Sequence, residues 1–300
     1  MQGLVTVFGG SGFVGGQVVR ALAKAGHRVR VAVRQPNLAY RMRMLGDVGQ
    51  IEVVQANVRN PASVARALDG AEACVNLVGV LWESGRQKFQ SVHVMAARHV
   101  AEAAKKAGVK HLVHMSAVGA NADSTSKYFR TKAEGEAAVR AAFPDATIVR
   151  PSLVFGHEDK FFNRFAQIAA LAPVMPLVGG DTRIQPVFVG DVAAVIARAA
   201  ASPAAAGVTY ELGGPAVFTM REILRLVLTE TGRARPLLPL APPLTTDQVE
   251  MLKTDNVAEG GLPGLAEAGV AATAVEAVVP TYLYRYRKGG QYAETPAGAF

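Results

Sequence analysis

Short apolar runs rich in β-branched residues alternate with helical segments between residue 3 and about residue 150. Six of these runs predict strands at residues 4–8, 28–33, 51–55, 73–78, 111–116 and 147–150, and most of them show no polar alternation. Strands without a polar face are typical of a parallel sheet that helices cover on both sides. The pattern therefore predicts an α/β protein with a doubly wound parallel sheet.

The segment between the first two predicted strands has the period of a helix. Val14, Val18 and Leu22 recur at the spacing of one helix face, and Gly26 follows where helices commonly end in the left-handed conformation. The same reasoning predicts helices at residues 61–68, 91–107 and 127–143. A strand, a helix and a second strand in this order predict a βαβ unit with parallel strands.

The alternation loosens after residue 150, where we predict a helix at residues 160–171 and a strand at residues 208–212. An apolar run at residues 186–189 leads into a further predicted helix. Thr219, with Glu222 three residues later, is typical of a capping box that opens a helix. We therefore expect a first domain at residues 1–150, and a second part at 151–300 that completes the sheet and adds a smaller C-terminal lobe with a basic tail.

Composition favours a folded protein in a reducing compartment. The chain has 300 residues, of which 50% are hydrophobic and 19% are charged. Cys74 is the only cysteine, which excludes an intrachain disulfide and a cysteine-based metal site and indicates the cytoplasm. No apolar stretch reaches the roughly 20 residues of a membrane-spanning helix. We expect a cytoplasmic protein without a metal centre.

The net charge of +8 attracts anions of several kinds, including phosphorylated cofactors, acidic lipid headgroups and acidic protein surfaces. Nucleic acid is disfavoured as a partner, because the basic residues are spread along the chain and no nucleic-acid-binding module is recognisable. Charge alone does not choose among the remaining anions.

A glycine-rich turn follows the first predicted strand and opens the first predicted helix. It consists of Gly9, Gly10, Ser11, Gly12, Phe13, Val14 and Gly15. Gly9 permits the tight turn, Gly12 lets the backbone approach a pyrophosphate, and Gly15 lets the helix pack close to the strand. The free N–H groups at the start of the helix then face the phosphates. This context predicts a Rossmann-type dinucleotide site in residues 1–150.

Arg34 stands at the end of the second predicted strand, where a site for NAD(H) places an acidic residue on the ribose 2′-hydroxyl. A guanidinium cannot accept that proton, but it binds a 2′-phosphate through charge-assisted hydrogen bonds. We therefore expect NADP(H) rather than NAD(H) as the cofactor. The alternative is that Arg34 is a solvated residue at the strand end and that the cofactor choice is made elsewhere.

Several of these motifs together resemble the short-chain dehydrogenase/reductase superfamily in its extended and atypical branches. The resemblance rests on the glycine spacing, Asn57-Val58 after the third strand, Leu77-Val78-Gly79 after the fourth, and Tyr128-x-x-x-Lys132 after the fifth. It implies that residues 57 and 58 contact the adenine and that residues 77–79 line the nicotinamide ribose. Asn57 stands where the superfamily usually has aspartate. The residues from Arg150-Pro151 onward resemble the loop beside the cofactor.

Tyr128 and Lys132 lie one helical turn apart, so both side chains share one helix face. A neighbouring ammonium favours the phenolate, and we expect it to adjust the tyrosine for use as a general acid or base.

Ser116, at the end of the fifth strand, is the candidate that steadies a substrate carbonyl, and a strand-end cap is its alternative role. Ser124 and Ser126 remain rivals for that position. His93 stands where many members of the superfamily have asparagine, and we interpret it as a buried structural histidine.

One branch of the superfamily is especially similar: the NADPH-binding accessory subunits of respiratory complex I and their bacterial homologues. The similar segments are 132–136, 145–151, 247–256 and 282–287. The resemblance implies a nucleotide held for structural or regulatory reasons and partners among the subunits of the quinone-reducing arm. It also implies a peripheral contact with the cytoplasmic face of the inner membrane.

Three functional hypotheses follow. The first is an accessory or assembly subunit of a bacterial NADH:quinone oxidoreductase, with Arg285, Arg287 and Lys288 of the tail facing a partner or headgroups, or simply ending a solvated helix. The second is an active NADPH-dependent oxidoreductase that acts on a small carbonyl, a quinone-related compound or a sugar nucleotide. The third is a sensor of the NADP(H) redox state.

Overall fold

The computed structural model describes residues 2–239 and 246–290. Its strands are β1 (Gln2–Phe8), β2 (His27–Val33), β3 (Ile51–Gln55), β4 (Ala73–Asn76), β5 (His111–Met115), β6 (Thr147–Pro151), β7 (Val154–Phe155), β8 (Met175–Pro176), β9 (Arg183–Ile184), β10 (Val187–Phe188), β11 (Thr209–Leu212), β12 (Phe218–Thr219) and β13 (Leu237–Leu238).

Ten α-helices accompany these strands in the described part of the chain. They are α1 (Phe13–Lys24), α2 (Pro61–Leu68), α3 (Ala96–Lys106), α4 (Lys127–Ala142), α5 (Phe162–Leu171), α6 (Val189–Ala199), α7 (Met220–Glu230), α8 (Thr246–Met251), α9 (Val275–Val278) and α10 (Pro280–Leu283). Short 3₁₀ turns occupy Pro36–Leu38, Tyr40–Leu45, Pro203–Ala205 and Tyr284–Tyr286. None of the helices in the described ranges has both the length and the apolar character that crossing a bilayer requires.

Seven strands form one sheet in the order β11-β6-β5-β4-β1-β2-β3, and every neighbouring pair is parallel. The chain runs outward from β1 to β3 and then returns to the other side of β1. In sheets with this order, ligands bind outside the carboxyl ends of the strands, at the switch point between β1 and β4. The doubly wound parallel sheet predicted from the sequence is confirmed.

Burial explains why these segments form strands. Val7 and Phe8 of β1, and Val31 and Ala32 of β2, are almost completely buried, although neighbours in a strand point to opposite faces of the sheet. One face packs against α2, α3 and α4 in a core that includes Phe8, Leu68, Val100, Leu112 and Ile148. Helices on the sheet thus remove the polar face that an exposed sheet would need.

The predicted helix at residues 91–107 differs from the observed structure. A π-helical turn at Gln90–Met95 precedes α3, which begins only at Ala96. Such a wide turn is rare and occurs frequently at functional sites. His93 lies within it and is 2% exposed.

Two compact units make up the chain, and each contains separate chain segments. Unit 1 comprises the described parts of Met1–Pro151, Gly190–Leu212 and Glu259–Ala271. Unit 2 comprises those of Ser152–Val189, Gly213–Ala258 and Ala272–Phe300. The first segment of unit 1 ends one residue after the predicted boundary, and β11 joins its sheet from the later half of the chain. Residues 240–245 and 291–300 of the predicted second part lie outside the described residues.

Unit 2 has its own apolar core and three two-stranded sheets, β7 with β10, β9 with β12, and β8 with β13. The predicted capping box of α7 is present, because Thr219 and Glu222 bond to each other's backbone. Tyr282 of α10 donates a hydrogen bond to the Asp159 carboxylate over 2.6 Å. This bond anchors the C-terminal helices beside α5.

The basic tail differs in part from the expectation that its arginines face a partner. Arg287 donates to the Glu230 carbonyl over 2.7 Å and forms an ion pair with the Glu230 carboxylate at 3.3 Å. Arg285 donates to the side chain of Asn163. Both arginines therefore contact unit 2 itself, whereas Lys288 is exposed.

Candidate dinucleotide site

The glycine turn between β1 and α1 forms the centre of the site in unit 1. Gly9 has a φ of +80°, which side chains strongly disfavour, and its carbonyl accepts a hydrogen bond from Gly12 N–H over 3.0 Å. A Cβ on Gly15 would lie 2.3 Å from the Gly9 oxygen. Gly9 therefore makes the turn possible, and Gly15 allows α1 to begin directly against it.

The remaining residues of the turn complete an anion cradle. Gly10 is buried, and a Cβ there would meet Val31 at 3.0 Å and Val19 at 3.2 Å. Gly12 is exposed and caps α1 without a side chain, and Phe13 begins the helix. The first turn of α1 contains no acidic residue. Its N–H groups thus present a positive helix end, which fits a pyrophosphate.

Two loops meet at the switch point of the sheet. A Cβ added to Gly9 would lie 3.3 Å from the carbonyl carbon of Leu77 and 3.4 Å from the side chain of Val78. Asn76, at the end of β4, fixes this second loop, because its side-chain oxygen accepts from Val78 N–H over 3.2 Å. The glycine turn and residues 77–79 are therefore neighbours, as a dinucleotide spanning both would require.

A polar cavity of about 280 Å³ lies at the ends of β2 and β3. It is lined by Arg34, Gln55, Ala56, Asn57, Asn60, Ser63 and Arg66. Asn57 accepts from Arg59 N–H and Asn60 caps α2, so both amides also shape the loop. Val58 beside them is buried. Among the described residues, Arg34 and Arg66 have no acidic partner within ion-pair distance, so two uncompensated cations line this cavity.

Tyr128 and Lys132 are buried side chains on α4, at 8% and 4% exposure. Lys132 Nζ donates a 2.8 Å hydrogen bond to the carbonyl of Met115, the last residue of β5. Burial lowers the pKa of Lys132 to about 8, and the Glu136 carboxylate opposes this shift. Burial also raises the pKa of Tyr128 to about 12, in the opposite direction to the expected effect of a neighbouring ammonium. Desolvation of the phenol is the cause of this shift.

Ser116 directly follows β5, and its amide donates to the Val149 carbonyl over 2.7 Å. Its hydroxyl oxygen is buried and has no hydrogen-bond partner among the described residues. Buried hydroxyls nearly always have a partner, so this one fits a group supplied by a ligand. The hydroxyl does not cap the strand end, which was the alternative role.

The rival serines have other contacts. Ser124 Oγ accepts from Ser126 N–H over 3.2 Å, and Ser126 Oγ caps α4 by accepting from Phe129 N–H. Both therefore help to begin the helix that carries Tyr128. Pro151 lies at the end of β6, where its carbonyl accepts from Val118 N–H over 3.0 Å.

Sequence reasoning did not identify two residues of this region, Arg66 and Thr131. Arg66 lies one helical turn after Ser63 on α2, so only the structure reveals that it lines the cavity of Arg34. Thr131 lies between Tyr128 and Lys132 and contacts the buried His93. The spacing to the Tyr-Lys pair offered no signal for that contact.

The model of the NmrA-like family matches residues 1–236 of this chain. A curated relative, the mitochondrial NADH dehydrogenase (ubiquinone) 1 alpha subcomplex subunit 9 of Rattus norvegicus, is 35% identical over 95% of this chain and 80% of its own length. The ceramide reductase of Caulobacter vibrioides is 33% identical over 81% of this chain and 75% of its own.

Solved structures share the fold. The NADPH-dependent quinone oxidoreductase QOR2 of Escherichia coli, solved in complex with NADPH, superposes with a TM-score of 0.73 at 22% identity. The superposition covers 90% of this chain and 96% of the other.

Proposed function

The chain belongs to the NmrA-like family of atypical short-chain dehydrogenases/reductases, and from this premise we propose that it holds NADP(H) in unit 1 and serves as an accessory subunit of a bacterial NADH:quinone oxidoreductase. The single observation that carries the cofactor proposal is the cavity lined by Arg34 and Arg66 beside the glycine turn. A phosphate on the adenosine ribose would meet two guanidinium groups there. Each can form charge-assisted hydrogen bonds with it.

Competitive titration of the purified full chain with NADPH and NADH tests this preference. We expect NADPH to bind at least tenfold more tightly. Arg34→Gln should weaken NADPH about tenfold and leave NADH within twofold, because only NADPH carries the 2′-phosphate. Arg20→Gln, which removes an exposed arginine from α1, is the matched control. Equal affinities in the parent chain would refute the preference for NADP(H).

The subunit role is supported by the extent of the similarity to complex I subunits. The rat relative aligns with 95% of the chain, and those of Dictyostelium discoideum and Arabidopsis thaliana with 96% and 97%. The similarity therefore includes the C-terminal part of unit 2, beyond the dinucleotide site. A chain in this role would sit at the cytoplasmic face of the inner membrane.

Co-migration in the source bacterium tests the subunit role. Membranes solubilised in a mild detergent are separated on a native gel, and the chain and the oxidoreductase are detected by mass spectrometry. We expect both in one band. A chain that migrates alone, with the oxidoreductase intact elsewhere on the gel, would show that the subunit role is wrong.

A second candidate function is reduction of a carbonyl compound, which the buried, unpartnered Ser116 hydroxyl favours. NADPH held by the glycine turn and residues 77–79 would supply the hydride for such a reduction. Ser116 would donate a hydrogen bond to the carbonyl oxygen, and Tyr128, protonated at neutral pH, would give that oxygen its proton. Lys132 would then stabilise the phenolate. The ceramide reductase among the relatives makes lipid ketones worthwhile substrates to test.

Substitution of the proposed acid tests this candidate. Tyr128→Phe should slow NADPH oxidation about a hundredfold with a panel of small and long-chain ketones, because general acid catalysis contributes roughly that much. Its affinity for NADPH should change less than threefold. A Tyr128→Phe chain that oxidises NADPH as fast as the parent would remove the case for catalysis by this residue.

A further inference from the structure

His93 joins two parts of the dinucleotide site that are distant in sequence. Its Nε2 accepts a 3.1 Å hydrogen bond from Val80 N–H, in the loop after β4. Its Nδ1 lies 3.1 Å from Thr131 Oγ1, on the helix that carries Tyr128 and Lys132. The imidazole therefore spans from the loop of residues 77–80 to α4.

The hydrogen bonds assign the protons of this bridge. Val80 N–H can only donate, so Nε2 must be the unprotonated nitrogen and Nδ1 must carry the proton. Nδ1–H then donates to Thr131 Oγ1. The Thr131 hydroxyl donates in turn to the carbonyl of Lys127 at 2.9 Å or of Tyr128 at 3.0 Å. Each group therefore has a partner, and the ring is neutral.

Close packing holds the imidazole in this orientation. Its ring stacks on Phe89 at 5.2 Å and meets the edge of Tyr128 at 5.4 Å. The π-helical turn also brings the His93 carbonyl against α4 at Gly135, where a Cβ would lie only 2.2 Å from that oxygen. Gly135 thus allows the close approach of the two helices that the bridge needs.

The bridge ends beside Gly79. A Cβ on Gly79 would be 3.8 Å from His93 Nε2 and 4.0 Å from Lys132 Nζ, so the imidazole and the ammonium converge at one point of the loop. Burial lowers the pKa of His93 to about 3, and the Lys132 ammonium adds to this effect. A charged imidazole would repel that ammonium and could not accept from Val80.

We propose that His93, with Thr131, is a positioning residue that holds the loop of residues 77–80 at a fixed distance from Tyr128 and Lys132, and so shapes the nicotinamide half of the site. This proposal rests on the proposed dinucleotide function. A histidine with only a structural role would affect both halves of the ligand equally, whereas this role affects binding of the nicotinamide half alone. Arg34 and Arg66, which are proposed to hold the adenosine half, have no hydrogen bond to His93 or Thr131 among the described residues.

Binding of two ligands by His93→Phe tests the proposal. Phenylalanine keeps the stacking on Phe89 and removes both hydrogen bonds. We expect NADPH affinity to fall about tenfold, since each bond contributes a factor of a few. Adenosine 2′,5′-bisphosphate, which contains only the adenosine half, should bind within twofold of the parent. His93→Gln, whose side-chain oxygen can accept from Val80, should recover part of the loss.

The second arm is tested at Thr131. Thr131→Val should weaken NADPH binding in the parent but add nothing in the His93→Phe background, because both substitutions break one bridge. Thr131→Ser keeps the hydroxyl group and should bind NADPH as tightly as the parent. His111→Phe, at the opposite end of β5, is the control and should change the affinity for neither ligand.

Two outcomes overturn the proposal: unchanged NADPH affinity in His93→Phe, or equal loss of both ligands, which would indicate a general role in folding. A parent that binds neither ligand would refute the proposed function, and this inference with it.

Discussion

Two buried histidines in unit 1, His93 and His114, link the stability of the protein to pH. The folded structure lowers the pKa of each from 6.5 to about 3, mainly because burial disfavours the charged ring. Between these values the unfolded chain binds more protons than the folded one, so the stability contribution is complete above pH 6.5 and is lost as the pH falls. We expect each histidine to lower the free energy of unfolding at pH 5 by about 2 kcal/mol relative to its value above pH 6.5.

Urea unfolding at pH 7.5 and pH 5.0 measures this loss. His114→Gln removes one of the two rings with the most strongly lowered pKa, so the drop in unfolding free energy between the two pH values should become markedly smaller. His111→Gln, at a less buried position on the same strand where burial and Lys110 also lower the pKa of the ring, should reduce the drop by a smaller amount. Equal stability of the parent at both pH values would contradict the prediction.

The pKa of Lys132 predicts how any reductase activity should depend on pH. Its pKa of about 8 means that it loses its charge as the pH rises above 8, and a neutral lysine no longer stabilises the phenolate of Tyr128. We expect kcat/KM with a reducible ketone to fall above pH 8. Lys132→Arg keeps its charge at high pH, so any remaining activity should not show this fall. An identical profile in both chains would contradict the assignment.

At the residue scale, the sequence predicts the positions of side chains that directly follow a strand better than the positions of side chains that lie on a neighbouring helix. Arg34 and Ser116 could be placed because the carboxyl ends of parallel strands meet at one edge of the sheet. Arg66 could not, because its approach to Arg34 depends on how α2 lies on the sheet. The direction of the Tyr128 pKa was also beyond the pattern, since the Tyr-x-x-x-Lys spacing reveals the ammonium but not the depth of burial.

The first turn of helix α1 contains two adjacent glycines, Gly15 and Gly16, in very different environments. A Cβ on Gly15 would lie 2.3 Å from the Gly9 oxygen and 2.7 Å from Gly10 Cα, whereas a Cβ on Gly16 would meet nothing within 4 Å. We expect Gly15→Ala to lower the unfolding free energy by about 3 kcal/mol and to abolish detectable dinucleotide binding, because the backbone of the turn must move.

Gly16→Ala is the matched substitution one residue later. It should raise the unfolding free energy by about 0.5–1 kcal/mol, because alanine favours a helix interior over glycine. Thermal unfolding and NADPH titration of both variants provide the measurements. Similar behaviour of the two chains would show that the close contact at Gly15 does not determine the turn.

At the element scale, the long strands of the sheet could be predicted because both of their faces are buried, which makes them continuous apolar runs. The ends of β1 to β6 fall within two residues of the predicted ones. The π-helical turn before α3 could not be predicted, because one extra residue in a turn hardly changes apolar spacing. The two-residue strands of unit 2, such as β9 and β12, could not be predicted either, because they depend on pairing between segments that are distant in the sequence.

At the scale of the whole molecule, unit 1 depends on a strand that the chain contributes late. Strand β11 pairs with β6 from Thr209 opposite Ile148 to Leu212 opposite Pro151. Arg150 of β6 also forms ion pairs with Glu136 of α4 at 2.7 Å and with Glu211 of β11 at 3.3 Å. We therefore expect a fragment of residues 1–151 to aggregate, because β6 would become an unprotected edge and Arg150 would lose one partner.

Size-exclusion chromatography of the fragment tests this expectation, with a chain of residues 1–290 as the truncation control. The control keeps β11 and should elute as a discrete species. A fragment of residues 1–151 that is soluble and binds NADPH as tightly as the full chain would show that β11 is dispensable.

The discontinuous path of unit 1 also has a consequence for biosynthesis. Strand β6 is complete at Pro151, but β11 ends only at Leu212, 61 residues later (212 − 151). At a translation rate of roughly 5–20 residues per second, the nascent chain waits about 3–12 seconds for its last strand. During that interval an apolar edge leaves the ribosome without its neighbour, and molecular chaperones that shield such edges should increase the yield of native protein.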